Sequence, residues 1–296
     1  MSSVSVNDPA VDSVNRGRRT PRIVATPTQW IVWGGVIAFM IFLLGTVGSV
    51  LVNSFGSTWF DSWWPQGFTT QWYGQAWTQF DLSQVFMVTL EVTGAVLLIS
   101  LLIGVPASYV LARKNFPGKG LLNLLFLMPI MVPPITYGIP LATALYRFGL
   151  AGNMSGVILA NLVPSVPFVI MTMTPFVEQL DPSLENSARM CGAGTGTIFR
   201  RILMPLLVPG MLAAGILVLV RTVGMFELTF LTSGNSSQTI VVALFNSMNA
   251  AGIRAQQSVD AMAVMYMLMM LIILLVALKF VNPTQLVARV KEAPQD

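Results

Sequence analysis

The sequence predicts an all-α, polytopic membrane protein with six transmembrane helices. Three observations carry that reading. The 296-residue chain is 54% hydrophobic and only 9% charged, against roughly 25% charged residues in an ordinary soluble domain. Its mean hydropathy is +0.72. Its apolar residues gather in long continuous runs rather than in the alternating pattern of a membrane β-barrel. So few charges cannot cover the surface of a 32.1 kDa globule, which excludes a soluble enzyme.

A helix rising about 1.5 Å per residue needs roughly 20 apolar residues to cross a hydrocarbon core about 30 Å thick. Residues 1–29 are rich in Ser, Val, Asn, Pro and Arg and read as a cytoplasmic tail. The first span is 30–52; no small-residue cleavage site follows it, so it is expected to be retained. Loop 53–83 holds Trp59, Phe60, Trp63, Trp64, Trp72, Tyr73 and Trp77. Such rings populate the headgroup level, and an interfacial belt is expected here rather than a ligand-stacking site. The second span is 84–112. The third, 121–146, contains Pro129, Pro133, Pro134 and Pro140 with Tyr137 and Gly138, and the fourth, 154–177, contains Pro164 and Pro167. Prolines free backbone carbonyls that neighbouring helices or a water-filled cavity must satisfy. Both readings, kinks for packing and a bundle around a pathway, stay open. The fifth span, 206–232, carries Arg221 and Glu227. The sixth, 258–281, is uncharged from Met262 to Leu278, and 283–296 is a second tail.

Orientation follows from the basic residues. With the N-terminus inside, the inner segments hold Arg16, Arg18, Arg19, Arg22, Arg113, Lys114, Lys119, Arg189, Arg200, Arg201, Lys279, Arg289 and Lys291, and the outer ones only Arg147 and Arg254. Both termini are therefore expected in the cytoplasm. The net charge of +4 is explained by this asymmetry, without nucleic acid.

Little catalytic chemistry is available. There is no histidine, which removes Ser-His and Cys-His pairs and His-ligated zinc. The single cysteine, Cys191, permits no internal disulfide. No G-x-x-x-x-G-K-[ST] loop occurs; Pro117-Gly118-Lys119-Gly120 lacks the spacing and the hydroxyl. This chain is thus expected to be no enzyme, to hold no metal or cofactor, and to bind no ATP itself.

The inner connection 178–205 is more than a loop. Asp181 suits an N-cap and Pro182 the first helical position. Glu185 and Arg189 stand at i, i+4, supporting a short exposed helix. Gly192 suits the left-handed residue ending it. A second short helix is expected from near Thr197, broken at Pro205 as the chain enters the next span. Leu184, Met190, Ile198 and Phe199 beside Arg and Glu make a mixed apolar and charged knob, fit for docking to a soluble partner.

This segment resembles the Glu-Ala-Ala loop of the membrane subunits of binding-protein-dependent ABC importers. That pattern is Glu-Ala-Ala, three residues, Gly, nine residues, Ile, one residue, Leu-Pro. Here Ala188 is followed by three residues and Gly192, and nine more lead to Ile202, then Leu203, Met204 and Pro205. The chain departs at Asn186 and Ser187, where the family has Glu and Ala, and at Met204, where it has Leu; Glu185 stands one place early. The resemblance covers about 30–282. It implies a type I importer permease fold of six helices in a prokaryotic inner membrane. It implies an ATPase-coupling surface at Glu185, Asn186, Ser187, Ala188, Arg189, Gly192, Ile202 and Pro205. The implied partners are a cytoplasmic ATPase dimer that binds the ATP, a second permease subunit in a heterodimer, and an extracytoplasmic solute-binding protein. A gradient-driven secondary transporter is the alternative class, but no clear internal repeat supports it.

Glu91, Arg221, Glu227 and Asp260 fall in or near spans, where charge costs at least about 2.5 kcal/mol. They line a path, or Glu91, Glu227 and Asp260 sit solvated near the outer interface. Pro133, Pro134, Tyr137, Arg221 and Glu227 are the candidate pathway residues. Arg221 and Glu227, six apart, share a face only if the helix breaks at Gly224. The string Gly67-Phe68-Thr69-Thr70-Gln71-Trp72-Tyr73 and the stretch Pro129–Pro140 resemble the polyamine, iron and phosphonate branch of the family. A polyamine-like cation is the first expectation for the solute, with sugars, opines, phosphonates and ferric ion as alternatives.

Overall fold

The computed structural model describes residues 27–59, 63–249 and 255–280. The expectations for most of the first tail, for the second tail, for Phe60 and for Arg254 fall outside these residues. Packing divides the chain between Ser49 and Val50. The first unit presents most of helix α1 (Pro27–Phe55), whose large apolar side chains from Trp30 to Val47 are exposed. All else described below lies in the second unit.

Among its described residues that unit's regular structure is helical, apart from one isolated bridge between Gly56 and Phe68. The aromatic loop contains a short helix, α2 (Gln71–Gln79). Trp72 donates its indole N–H to the Gly56 carbonyl at 2.7 Å, folding the loop back on itself, whereas Trp63 is 97% exposed. The long helix α3 (Leu82–Arg113) follows.

Between α3 and the next full-length span the prolines expected within the third span break it. Residues 121–146 do not form one continuous helix. They form α4 (Lys119–Met131) and α5 (Pro134–Arg147), bent by 100° at the break. A proline disfavours helical backbone in the residue before it. Two successive prolines therefore push Val132 (ψ 134°) and Pro133 (ψ 132°) into extended conformation. Pro134 then starts α5 at a position where its missing N–H costs nothing. Pro106, Pro129, Pro140, Pro164, Pro167 and Pro175 are instead accommodated within helices.

The remaining elements are α6 (Met154–Glu178), α7 (Pro182–Met190), α8 (Thr195–Ile198), α9 (Met204–Val223), α10 (Glu227–Thr232), α11 (Ile240–Asn249) and α12 (Gln256–Phe280). Two corrections concern the fifth span. The chain is not broken at Pro205. A π-helical turn over Phe199–Leu203 carries α8 into α9, with the Met204 N–H reaching back five residues to the Phe199 carbonyl. Pro205 has no N–H to give, and the wider turn absorbs it at the start of α9. The span also stops at Val223, with Gly224 as its cap, so Glu227 opens the separate helix α10.

The core lies where α3, α6 and α9 meet. Val88, Val92 and Val96 recur every four residues along one face of α3 and pack with Val157, Val169, Met173, Ala214 and Val218. Contact is close because small residues stand at the crossings. A Cβ on Gly104 would lie 2.6 Å from Val169 Cγ1, and one on Gly210 would lie 2.8 Å from the Phe176 ring. Buried hydroxyls satisfy themselves locally: Thr89 donates to the Val85 carbonyl at 2.7 Å and Ser108 to that of Val105 at 2.7 Å. Small hydroxylated and glycine residues of this kind let apolar helices approach in a membrane.

Candidate coupling surface and translocation path

Two groups of predicted residues fall at different places in the fold. The first is built on α7. Asp181 caps it, its carboxylate accepting from the Ser183 N–H at 2.8 Å. That hydrogen bond, then one from the Ser183 hydroxyl, holds the Asp181 pKa below its ordinary value. At the other end Gly192 adopts φ +83°. Its N–H bonds the Arg189 carbonyl at 2.9 Å, and the Ala193 N–H bonds the Ala188 carbonyl at 3.0 Å. This is the Schellman pattern.

Glu185 departs from expectation. It is not part of an exposed face: it is 4% exposed, and its carboxylate is enclosed by the last turn of α3. The Arg113 Nε donates to Glu185 Oε1 at 2.8 Å, and the Tyr109 hydroxyl donates to Oε2 at 2.8 Å. A second Arg113 nitrogen donates to the Leu180 carbonyl at 2.6 Å. The expected partner Arg189 is farther, at 3.8 Å. Arg113 wins because it is 13% exposed and so poorly screened, while the Arg189 side chain is 48% exposed. Of the other coupling candidates, Asn186, Ser187, Arg189, Gly192 and Pro205 are exposed, and Ala188 and Ile202 are half-buried against the core. Leu184 and Met190 remain exposed, Met190 by 83%.

The second group surrounds α5, α9 and α10. The break at Gly224 leaves Arg221 in the last turn of α9 and puts Glu227 in the first turn of α10. The Tyr137 hydroxyl is buried without a hydrogen-bond partner among the described residues, and the charges of both Arg221 and Glu227 reach it. The Arg221 guanidinium stands 5.5 Å from the centre of the Phe168 ring, a cation–π contact, and makes no ion pair among the described residues. Helix α10 approaches α5 closely, since a Cβ on Gly138 would lie 3.0 Å from Leu228 and from Leu231. Buried Asn161 of α6 donates to the Thr229 hydroxyl of α10 at 3.2 Å. Phe226, Phe230 and Phe245 cluster beside Glu227, with centroids 4.8 to 5.4 Å apart. Pro133 and Pro134 contribute the bend rather than a polar group. Two other charges stand apart: Glu91 is exposed, and Asp260 pairs with Asn53 and accepts from Gln256 at 3.3 Å.

Sequence reasoning does not find Tyr109, Arg113 or Phe168 as functional positions, and it places Ile198 and Phe199 on the docking knob, whereas Ile198 is buried and Phe199 packs against Tyr109. Tyr109 and Arg113 do leave a signal, an i, i+4 polar pair at the basic end of an apolar helix. Phe168 leaves none among so many aromatic residues.

Comparison with known proteins identifies the family. Residues 104–284 match the family described as binding-protein-dependent transport system inner membrane component. The molybdenum transport system permease protein ModB of Escherichia coli (strain K12) is 29% identical over 185 residues, covering 57% of this chain and 81% of that protein. The trehalose transport system permease protein SugB of Mycobacterium tuberculosis (strain CDC 1551 / Oshkosh) is 34% identical over 149 residues, covering 50% and 54%. The diacetylchitobiose uptake system permease protein NgcG of Streptomyces coelicolor is 30% identical over 194 residues, covering 66% and 59%. Among solved structures, a bacterial ABC transporter involved in the import of the acidic polysaccharide alginate matches with a TM-score of 0.69 at 16% identity, over 87% of this chain and 99% of that one. The expected polyamine specificity finds no support among these relatives. A family match across 104–284, joined to a bundle of long apolar helices and a capped helix-turn in the right place, makes this chain a member of the binding-protein-dependent transport system inner membrane components, the permease subunits of ABC importers.

Proposed function

We propose that this chain forms one half of the membrane pathway of an ATP-driven importer, and that α7 with its Gly192 turn is the surface a cytoplasmic ATPase subunit grips. The observation that carries this is the anchoring of Glu185 by Arg113 and Tyr109. It fixes the inner side of α7 to the bundle and leaves Leu184, Arg189 and Met190 outward. A short helix held rigidly at its root and apolar at its tip suits transmission of a push. The basic residues Arg113, Lys114, Lys119, Arg200 and Arg201 share that end, which supports a cytoplasmic location for it and for both termini. A second permease subunit, of a different sequence, completes the pathway. An external binding protein delivers the solute; the bacterial alginate ABC transporter, similar in fold, has been solved in complex with an alginate pentasaccharide-bound periplasmic protein. Co-purification of the ATPase with the unaltered chain, lost when Leu184 and Met190 are both changed to Asp, tests this reading. Retention of the ATPase by that variant contradicts it.

For the solute, a small oxyanion is the first reading. Arg221, with no ion pair among the described residues, and the Tyr137 hydroxyl, with no hydrogen-bond partner among them, offer a positive charge and a donor. ModB, named for molybdenum transport, is among the relatives. A sugar is the second reading, favoured by a separate observation. A cavity of about 380 Å³ is lined by Gln79, Gln84, Asn235, Gln238 and Asn246, whose amides both donate and accept as hydroxyls require. Uptake of labelled molybdate, trehalose and spermidine by the complete importer separates the readings. The oxyanion reading expects molybdate uptake that Arg221→Gln abolishes without loss of membrane insertion. Spermidine uptake indifferent to that change contradicts it.

A further inference from the structure

The last turn of α3 holds both arms of the cytoplasmic element, not only α7. On the descending arm, Arg113 bridges the Leu180 carbonyl at 2.6 Å and Glu185 Oε1 at 2.8 Å, so one guanidinium spans the turn that leads into α7. On the ascending arm, the Tyr109 ring meets Phe199 edge-on at 5.6 Å. Phe199 is the first residue of the π-helical turn that leads into α9. The Tyr109 hydroxyl closes the figure by donating to Glu185 Oε2 at 2.8 Å. Apolar packing surrounds this polar knot: Val105, Val177, Leu180, Ile198 and Leu203 are each at most 8% exposed and belong to one cluster with Tyr109.

We infer that Tyr109 and Arg113 are positioning residues that transmit displacement of α7 sideways into α3. The two covalent routes from α7 run into α6 and through the π turn into α9. Helix α3 has no covalent link to α7, and without this knot a push on α7 would reach it only through apolar contacts that can slide. A buried carboxylate held by two donors, one of them charged, resists sliding because any displacement strands charge in a poorly solvated site. Helix α3 then moves with α7 as one body, and Gly104 against Val169 hands the motion on to α6. The inference rests on the proposed ATPase docking at α7.

The test uses the complete importer in liposomes, with Tyr109→Phe and Arg113→Lys. Tyr109→Phe keeps the ring on Phe199 and removes the hydroxyl. Arg113→Lys keeps the charge and removes the second prong. Both variants are expected to retain the ATPase on purification and to hydrolyse ATP. The solute moved per ATP should fall about tenfold, the factor that one lost hydrogen bond to a charged group carries. Wild-type stoichiometry in either variant overturns the inference, as does a loss explained wholly by departure of the ATPase. Failure of the unaltered chain to hold the ATPase is a different result: it removes the docking reading and this inference with it. Arg113→Ala and Glu185→Ala are less informative, because each leaves a buried partner unpaired and acts on folding as well.

Discussion

Gly104 sits where α3 and α6 approach most tightly, and its replacement by Ala can be followed quantitatively. The new methyl would lie 2.6 Å from Val169 Cγ1, 2.8 Å from Val169 Cβ and 3.5 Å from the Ile170 nitrogen. Carbon atoms prefer separations of about 3.5–4.0 Å, so the helices must part locally by about 1 Å. Val169 cannot swing aside. It is fully buried, and β-branched residues in helices have essentially one rotamer. Overpacking of this kind costs about 1–3 kcal/mol, offset by the gain of about 1 kcal/mol when Ala replaces Gly inside a helix. The expected net loss is about 0–2 kcal/mol. Val169→Gly alone should also destabilise, by leaving a cavity. In the double variant, Gly104→Ala with Val169→Gly, the added methyl faces the space that the valine side chain vacated, so the losses should not add. Thermal unfolding midpoints of the purified complex, measured for wild type, both single variants and the double, check this. A double variant whose loss equals the sum of the singles, within about 0.3–0.5 kcal/mol, would refute the close-packing argument.

Other consequences follow from the same geometry. Gly192→Ala forces an L side chain to φ +83° with open space around it, so backbone strain alone should cost about 1 kcal/mol; Gly192→Asn should retain more uptake than Gly192→Ala. Tyr137→Phe removes a buried hydroxyl that has no partner among the described residues, so thermal stability should hold or rise while uptake falls if that hydroxyl meets solute. Glu227→Gln should insert normally and lose uptake, and unchanged uptake would remove Glu227 from the pathway. Asp181 has a folded pKa below its ordinary value. Its contribution to capping α7 is therefore fully present above the unfolded carboxyl pKa and is lost as pH falls through the folded pKa. Hydrogen exchange at the Ser183 amide should accelerate, after correction for intrinsic rate, below that range and not above it.

Much of this is legible in the amino-acid order because the relevant signals are local. An apolar run long enough to span a bilayer announces itself. So does α7, where Asp181, Pro182 and Gly192 occupy the cap, first-turn and left-handed positions that their chemistry suits. Prolines are harder to read. Pro133-Pro134 bends the chain by 100°, whereas Pro205 bends nothing because a π turn precedes it. The difference lies in hydrogen-bond register, which composition does not display. The burial of Glu185 is hidden for another reason. Its i, i+4 neighbour Arg189 is visible, but the competing Arg113 is 72 residues away and meets it only after α3 and α6 pack. The placing of Arg221 and Glu227 on two separate helices likewise depends on the break at Gly224.

In the proposed complex an ATPase subunit covers α7 and its turn, and the chain carries its own probe. Cys191, the single cysteine of the sequence, is exposed next to Gly192. The rate of maleimide addition to Cys191, read on this chain by mass spectrometry, can be compared with and without the ATPase subunit bound. Cys191 should be strongly protected in the assembled complex and rapidly labelled once the ATPase is stripped away. Equal labelling rates in the two states would contradict it.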